Sequence, residues 1–372
     1  MKKFLNYPIL FLAILSVLAS CDPKEDDIEQ KVSEVTVLLP DDLEEIELDY
    51  QAPQKPLAVE WKTEDEVSYQ FVLSLKEDMS NPATISLNNV GVDAITHHEL
   101  DSVMGVLGVK IYNRAELYWV IKGIKGTNSG TSKSRIMELW RFMNPFVDPR
   151  DGEIYRVTKV VDPLTGDYWI WMADNMRCKK YSDGTPLNSG TDVLFLNNLP
   201  GDSEHKKEWN RLRGGYYTWN ATVRDVAAAE KGDKVQGIAP AGWRIATKQD
   251  WDNLLNLQED NSNPGTYLKD GSYWLASALD FGKNTSKFNA VASGFFWEPL
   301  KDRTPENVLE QENISLFWTS TVPVAGDEIP WNPPVSAFPT QAYSRALDAN
   351  SSGSALYVYD RMRGYTVRCV LN

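Results

Sequence analysis

The chain has 372 residues, of which 42% are hydrophobic, and it carries 52 acidic against 38 basic side chains. This hydrophobic content is ample for packed cores, and the length favours two or three domains. The net charge of −14 argues against nucleic acids and anionic membrane surfaces as partners, because both repel an acidic protein.

The first 20 residues have the layout of a secretory signal. Two lysines precede an apolar run over 4–17, and small residues then lead directly to Cys21. The run is too short for a membrane span, which needs roughly 20 apolar residues. Its end resembles a bacterial lipobox, which implies that Cys21 becomes the first mature residue and carries lipid that enters the bilayer. The alternative is an ordinary signal followed by an unrelated cysteine.

Residues 21–31 are predicted to form an acidic tether. The segment has almost no apolar content, so it cannot pack into a core and should remain solvated. Its acidic run resembles the surface-export signal of Bacteroidota lipoproteins. That resemblance implies a position on the outer face of the outer membrane. A plain polar spacer facing the periplasm is the alternative.

Residues 32–143 have a β pattern with short strands separated by Pro, Asn and Gly, which predicts a β-sandwich. One helix is predicted over 98–108, because apolar residues recur there at helical spacing. Four segments resemble the N-terminal module of SusE-type starch-utilisation lipoproteins: the β run ending in Trp61, the β run over 67–73, this helix and the β run over 118–123. The resemblance implies an all-β immunoglobulin-like sandwich that holds binding domains away from the membrane and has no catalytic role.

The second predicted domain covers residues 144–372. Its first six residues, 144–149, contain two prolines and mark the boundary with the first domain. Ten of the thirteen tryptophans follow residue 143. Seven sequence motifs follow one another in this domain, at 151–157, 169–177, 181–186, 215–219, 239–251, 317–321 and 364–370. They resemble the Fibrobacter succinogenes major paralogous (FISUMP) domain of bacterial surface lipoproteins. The same layout is distantly similar to C-type lectin-like and formylglycine-generating-enzyme folds, which implies an α+β, lectin-like domain.

The tryptophans within these motifs are predicted to be structural. Thr247 followed by Asp250 is a variant of the capping box and predicts a helix start. Trp251 would then lie on the buried stripe of that helix, and Trp318 suits a strand. A tryptophan inside a regular element usually buries its ring, so we expect both in the core.

No catalytic residue, metal or cofactor is predicted. Formylglycine chemistry relies on a pair of nearby cysteines late in the chain, which this sequence lacks. The three histidines, His97, His98 and His205, do not have zinc-like spacing with any cysteine cluster. The calcium-ligand motifs of lectins are also missing. Calcium held by loop carboxylates such as Asp348 or Asp360 stays open, because oxygen ligands need no tight motif.

Two cysteines, Cys178 and Cys369, remain once Cys21 is assigned to lipid. An exported protein favours a disulfide between them, and two buried free thiols are the alternative. The resemblance to the FISUMP domain bears on whether the two cysteines form a disulfide. The FISUMP pattern often has a cysteine where this chain has Ala239, and that residue would be the usual partner of Cys369. Cys178 could substitute for it.

Ligand-binding residues are sought among tryptophans outside regular elements, because sugars stack on exposed rings. The candidates are Trp209 in a charged insert, Trp297 after a Gly-Phe-Phe run, and Trp331 in a proline-rich loop. The alternative for each is packing onto the domain. The function expected is a non-catalytic surface lipoprotein that binds polysaccharide or oligosaccharide beside an outer-membrane uptake complex. An adhesin or assembly protein that recognises a protein partner is the second hypothesis.

Overall fold

The computed structural model describes residues 32–372 apart from 65, 89–90, 276–281, 325–326 and 328–339. The signal, Cys21 and the tether lie outside the described residues, as does Trp331. The chain divides into two compact units. The first holds the described residues up to Leu48 and Ala52–Arg141, and the second holds Asp49–Gln51 and Phe142–Asn372. Within the described residues, no helix combines the length and apolar content needed to span a bilayer.

The first unit is built from two sheets and one helix. Its elements are β1 (Val37–Leu39), β2 (Glu44–Glu47), β3 (Pro56–Trp61), β4 (Ser68–Ser74), β5 (Ala83–Leu87), β6 (Val92–Thr96), α1 (His97–Val106), β7 (Arg114–Lys125), β8 (Asn128–Thr131) and β9 (Arg135–Trp140). One sheet has the order β1-β3-β6 and the other β2-β9-β7-β4-β5, with β8 also paired to β7. Strands β2 and β9 are parallel, and the other pairs are antiparallel.

Alternating side chains of the two sheets form the core of the first unit. Trp61 of β3 contacts Tyr69 of β4, with ring centroids 5.4 Å apart, so side chains of the two sheets contact each other. Phe71 and Trp119 extend the same apolar layer on adjacent strands of the larger sheet. These aromatic contacts add to the hydrophobic burial. The unit is β-rich, in agreement with the strand pattern of its sequence.

The predicted helix of the first unit is confirmed as α1. Thr96 is its N-cap: the hydroxyl accepts from the Glu99 amide, and the Glu99 carboxylate accepts from the Thr96 amide. This capping box satisfies backbone donors that would otherwise lack partners. Leu100, Val103 and Met104 are buried on one face, as the apolar spacing requires.

The second unit is also β-rich, with several small sheets and short helices. Its elements are β10 (Phe146–Val147), β11 (Ile154–Tyr155), β12 (Val157–Val161), β13 (Tyr168–Met172), β14 (Val193–Phe195), α2 (Glu204–Arg213), β15 (Gly215–Tyr217), α3 (Trp219–Val223), α4 (Val226–Glu230), β16 (Trp243–Ile245), α5 (Lys248–Asn256), α6 (Pro264–Leu268), β17 (Ile314–Trp318), β18 (Gln341–Asp348), β19 (Ala355–Asp360), β20 (Thr366–Val367) and β21 (Cys369–Leu371). Two four-stranded sheets have the orders β12-β13-β21-β16 and β19-β18-β17-β20.

The capped helix predicted at Thr247 is confirmed as α5. The Thr247 hydroxyl accepts from the Asp250 amide, and the Asp250 carboxylate accepts from the Thr247 amide. Arg244 also donates to Asp250, so a buried ion pair joins β16 to the start of the helix. Leu254 and Trp251 lie on the buried stripe of α5, as expected.

Trp251 belongs to the main core of the second unit. Its ring contacts Trp171, Phe288 and Phe317, with centroids 5.0–5.5 Å apart. Trp318 is equally buried, on β17. Both tryptophans are therefore core residues, as the motif positions predict.

A buried arginine joins the end of the second unit to strand β13 and to the loop that holds Phe288 and Asn289. Arg368 lies between β20 and β21 and has no exposed surface. Its guanidinium donates to the Asn175 side chain and to the carbonyls of Met172, Phe288 and Asn289. Burial lowers its pKa to about 9. Four acceptors replace the water that the cation loses, which is the condition for burying such a group.

Candidate functional site

Trp297 differs from the other tryptophans in the described part of the chain because its ring is exposed. Its side chain lies in a loop of the second unit, and the residue is 41% exposed. The other described tryptophans are buried, apart from Trp169, which is partly buried. Of the two tryptophan candidates that the structure describes, Trp209 and Trp297, only Trp297 presents its ring to solvent.

The exposed ring belongs to a surface cluster, which we call the Trp297 patch. The patch consists of Trp297, Tyr357, Tyr359, Met362 and Arg363. The two tyrosines are two positions apart on β19, so they lie on the same face of that strand. Strand β19 is at the edge of its sheet. Met362 is 43% exposed in the turn that follows.

Backbone hydrogen bonds fix the position of the patch. The Phe296 amide donates to the Gly364 carbonyl at 3.0 Å, and the Gly364 amide donates back to the Phe296 carbonyl at 3.2 Å. This isolated bridge places Trp297 beside Arg363. Upstream, Gly294 has a φ of +74°, and a Cβ there would collide with the carbonyl oxygen of Leu309. A glycine is therefore needed for the Gly-Phe-Phe-Trp segment to approach its neighbour.

The aromatic rings of the patch are held by a guanidinium. The Cζ atom of Arg363 lies 3.4 Å from the Trp297 ring centroid and 4.7 Å from that of Tyr359. The Trp297 and Tyr359 rings meet edge to face at 5.2 Å, and Tyr357 stacks on Tyr359 at 5.3 Å. Each cation–π contact is worth about 0.5–2 kcal/mol, depending on its exposure to water. The rings are thus ordered before any ligand arrives.

The patch offers an apolar surface with polar edges. Arg363 covers one face of the indole, so the exposed area of Trp297 lies on its remaining face and edge. Burial and the nearby Tyr357 raise the pKa of Tyr359, which keeps its phenol neutral at physiological pH. The adjacent Glu298 is exposed and can accept hydrogen bonds. Ordered rings beside hydrogen-bonding groups can bind a ligand that has both apolar and polar faces.

Trp209 is not a surface residue, which corrects the expectation that it lies outside regular elements. It is on helix α2 and only 7% exposed. Its ring packs beside Tyr273, and the guanidinium of Arg213 lies 4.4 Å from the ring centroid. Helix α2 is amphipathic: Trp209 and Leu212 face the core, while most of its charged residues face outward. The high charge of this segment concealed its helical periodicity.

The structure also differs from the predicted disulfide. Cys178 and Cys369 are both buried free thiols. The Cys178 thiol lies 3.5 Å from the Ile238 carbonyl and accepts from the Tyr217 hydroxyl. Burial raises the pKa of Cys178 to about 11 and also raises that of Cys369. Thiols with raised pKa values are poor nucleophiles, so both side chains serve as small apolar core residues here.

Four residues of the patch were not identified from the sequence: Tyr357, Tyr359, Met362 and Arg363. The Tyr-x-Tyr alternation is a usable signal, because it places two rings on one face of a strand. The position of Arg363 beside Trp297 depends on a pairing between distant segments, which no local pattern reveals. Among the described residues, no group of three or more His, Cys, Asp or Glu side chains could hold a metal ion.

The fold and the patch define a β-rich protein of two units, with an ordered aromatic surface on the second. The model of the Fibrobacter succinogenes major domain family matches residues 167–371, which is just over half of the chain. The chain therefore belongs to this family, and the FISUMP resemblance of its C-terminal sequence is confirmed over these residues.

Other comparisons add little. A crystal structure of a fimbrial protein from Bacteroides ovatus is similar at 12% sequence identity, over 91% of this chain and 70% of that chain, with a TM-score of 0.23. A similarity this low supports no conclusion about fold or function. No curated protein matches the sequence.

Proposed function

We propose that this chain is a non-catalytic, lipid-anchored surface protein that binds glycan through the Trp297 patch. The single observation that carries the proposal is the exposure of Trp297, on a surface where a cation and two tyrosines hold its ring in place. The first unit would act as an immunoglobulin-like spacer of the SusE type. The second would be a lectin-like recognition domain.

The chemistry of the patch suits a neutral sugar chain. A pyranose ring has faces of C–H groups that lose water when they stack on an indole, and the hydrophobic effect favours this burial. Its hydroxyls project sideways, where the exposed carboxylate of Glu298 can accept hydrogen bonds from them. Because the rings are already ordered, little conformational entropy is lost when the ligand binds.

The anchor would come from lipid on Cys21. One acyl chain binds a membrane only marginally, whereas two or more make the attachment stable, at about 0.8 kcal/mol for each buried CH₂. The acidic segment 21–31 would keep the protein extended from the bilayer, on the outer face of the outer membrane. A place beside an uptake complex would follow from this position. Protease digestion of intact cells tests it: a surface protein is cleaved, and one facing the periplasm is protected.

Affinity electrophoresis of the full chain in polysaccharide-containing gels tests the binding function. We expect at least one neutral polysaccharide to retard the wild type, and Trp297→Ala to weaken that binding about tenfold, equivalent to about 1.4 kcal/mol. Leu164→Ala is the matched control, because Leu164 is 93% exposed in the turn between β12 and β13. If Trp297→Ala migrates like the control in every gel, the proposal is wrong.

The second candidate function is recognition of a protein, as in an adhesin or assembly protein. It is favoured by the composition of the patch, since Trp, Tyr, Met and Arg are the residues enriched at protein interfaces. This candidate predicts that no polysaccharide retards the wild type. It also predicts that cross-linking on intact cells captures a partner protein with the wild type and not with Trp297→Ala.

A further inference from the structure

The second unit also has a recess, which differs from the Trp297 patch because charged groups line it. It has a volume of about 510 Å³, within the range of about 300–1,000 Å³ that is usual for small-ligand clefts. Its charged lining consists of four carboxylates and two guanidiniums, from Asp151, Glu153, Arg156, Asp174, Glu208 and Arg211. We call it the arginine–carboxylate cleft.

Most of the charges in the cleft are paired. Arg156 donates through its backbone amide and its Nε to the Asp174 carboxylate, at 2.8 and 2.9 Å. Arg211 donates through Nε and Nη2 to Glu208, at 2.8 and 2.7 Å. Glu153 accepts from Arg177, which lies behind the lining, at 2.9 Å, and its carboxylate is 3.8 Å from the nearest nitrogen of Arg211. These pairs hold the polar groups in a fixed arrangement.

Three of the paired groups, Asp174, Glu208 and Arg211, have pKa values shifted in the direction that favours their charged forms. Burial would raise the pKa of Asp174, but the hydrogen bonds from Arg156 hold it below its ordinary value. The hydrogen bonds from Arg211 lower the pKa of Glu208, and that carboxylate in turn raises the pKa of Arg211. The side chains of Arg156 and Arg211 are nevertheless each 41% exposed. They retain N–H edges that can donate to a ligand while their carboxylate partners accept.

Apolar groups border the charged lining. Ile154 is part of the wall and is more than half exposed. Tyr273 lies close enough that Glu208 adds to the effect of burial in raising the pKa of its phenol. The Tyr273 ring is stacked on His205, with centroids 5.1 Å apart and planes within 9°. The cleft therefore combines hydrogen-bonding groups with the apolar side chain of Ile154, and the stacked rings of Tyr273 and His205 lie outside its lining.

We propose that the arginine–carboxylate cleft is a second subsite, which binds a single neutral sugar residue. The proposal rests on the glycan-binding function proposed above and adds a site for a chain end or a branch. A hydroxyl both donates and accepts, so neighbouring hydroxyls can bridge a carboxylate and a guanidinium without bringing a net charge. Four carboxylates against two guanidiniums in the lining disfavour an anionic sugar. Three of the carboxylates, those of Glu153, Asp174 and Glu208, are already paired with guanidiniums, which leaves little uncompensated negative charge to attract an amino sugar.

Isothermal titration of the full chain with monosaccharides tests the subsite. The probes are glucose, galactose, mannose and xylose, with glucuronate and glucosamine as charged counterparts. We expect at least one neutral sugar to bind, and Arg211→Gln to weaken its binding at least fivefold. Lys207→Gln is the matched control, because Lys207 is a cation on the same helix that pairs with Glu204 outside the cleft. It should change binding by less than twofold.

Trp297→Ala in the same titration separates the two sites. The proposed subsite is supported if Arg211→Gln loses monosaccharide binding while Trp297→Ala retains it. If Arg211→Gln binds like Lys207→Gln, or if glucuronate binds better than every neutral sugar, the subsite is refuted. Polysaccharide binding by the Trp297 patch would still stand in that case, because it is measured in a separate assay. Melting temperatures of the variants show whether each is folded.

Discussion

The two buried tryptophans of the family motifs give a sharp test of how this core is stabilised. Trp251 and Trp318 are both fully buried, but their indole N–H groups differ. The N–H of Trp318 donates to the Tyr217 carbonyl at 2.8 Å. The N–H of Trp251 is buried without a hydrogen-bond partner. Replacing each with phenylalanine removes the same atoms, so the comparison isolates the hydrogen bond.

The expected difference follows from the cost of polar burial. Trp318→Phe loses a hydrogen bond with a net value of about 0.5–1.5 kcal/mol. Trp251→Phe removes an unsatisfied donor, whose burial costs about 1–3 kcal/mol. The lost volume is the same, so Trp318→Phe should be the less stable variant by about 1.5–4.5 kcal/mol. For a unit of this size, 1 kcal/mol moves the melting temperature by about 2–4 °C, which predicts a gap of at least about 3 °C.

The difference in melting temperature is measured by heating both variants and monitoring their near-ultraviolet circular dichroism. Guanidinium titrations provide the free energy of unfolding independently. Equal melting temperatures, or a less stable Trp251→Phe, would refute the reasoning. Such a result would mean that the Trp251 N–H has a partner, such as a trapped water, or that the cavities left by the two substitutions relax differently.

Three further predictions concern the second unit. Asp250→Asn should lower the free energy of unfolding at neutral pH and make it less sensitive to acid. The pKa of Asp250 in the folded state is below its ordinary value of 3.8, so the carboxylate stabilises the fold above pH 3.8 and loses this contribution as the pH falls further. Urea titrations from pH 3 to 7 measure the effect. Gly237→Ala should cost at least about 2 kcal/mol in a denaturation experiment, since φ is positive and the new Cβ would collide with the Thr222 carbonyl. Cys178 and Cys369 should resist alkylation until the protein is unfolded and then both react; two protected sulfurs after unfolding would instead indicate the disulfide.

Local features of the fold were predictable from the sequence because their causes are local. The Thr247 capping box lies within four consecutive residues, and α5 begins where it indicates. The helix predicted over 98–108 from its apolar spacing is α1, which covers His97–Val106. The buried positions of Trp251 and Trp318 followed from their places in a helix stripe and a strand. The family match over residues 167–371 likewise agrees with motifs read in chain order.

Features that depend on distant segments were not predictable in this way. The placement of Arg363 on Trp297 requires the bridge between Phe296 and Gly364, which are far apart in the sequence. The sequence of helix α2 predicts a charged insert because its core-facing residues, Trp209 and Leu212, are few among many charged ones. The arginine–carboxylate cleft joins three stretches of chain, so its charges have no common sequence pattern.

The exposed indole of Trp297 allows the central claim to be tested without relying on loss of function. The protein is labelled with 5-fluorotryptophan, and the Trp297 resonance is assigned from Trp297→Phe in fluorine NMR spectra. We then titrate the neutral polysaccharide that most strongly retards the wild type in gels. Glycan binding at the Trp297 patch predicts that the Trp297 resonance shifts while the resonance of buried Trp251 stays unchanged. Saturable binding with an unmoved Trp297 resonance would contradict it.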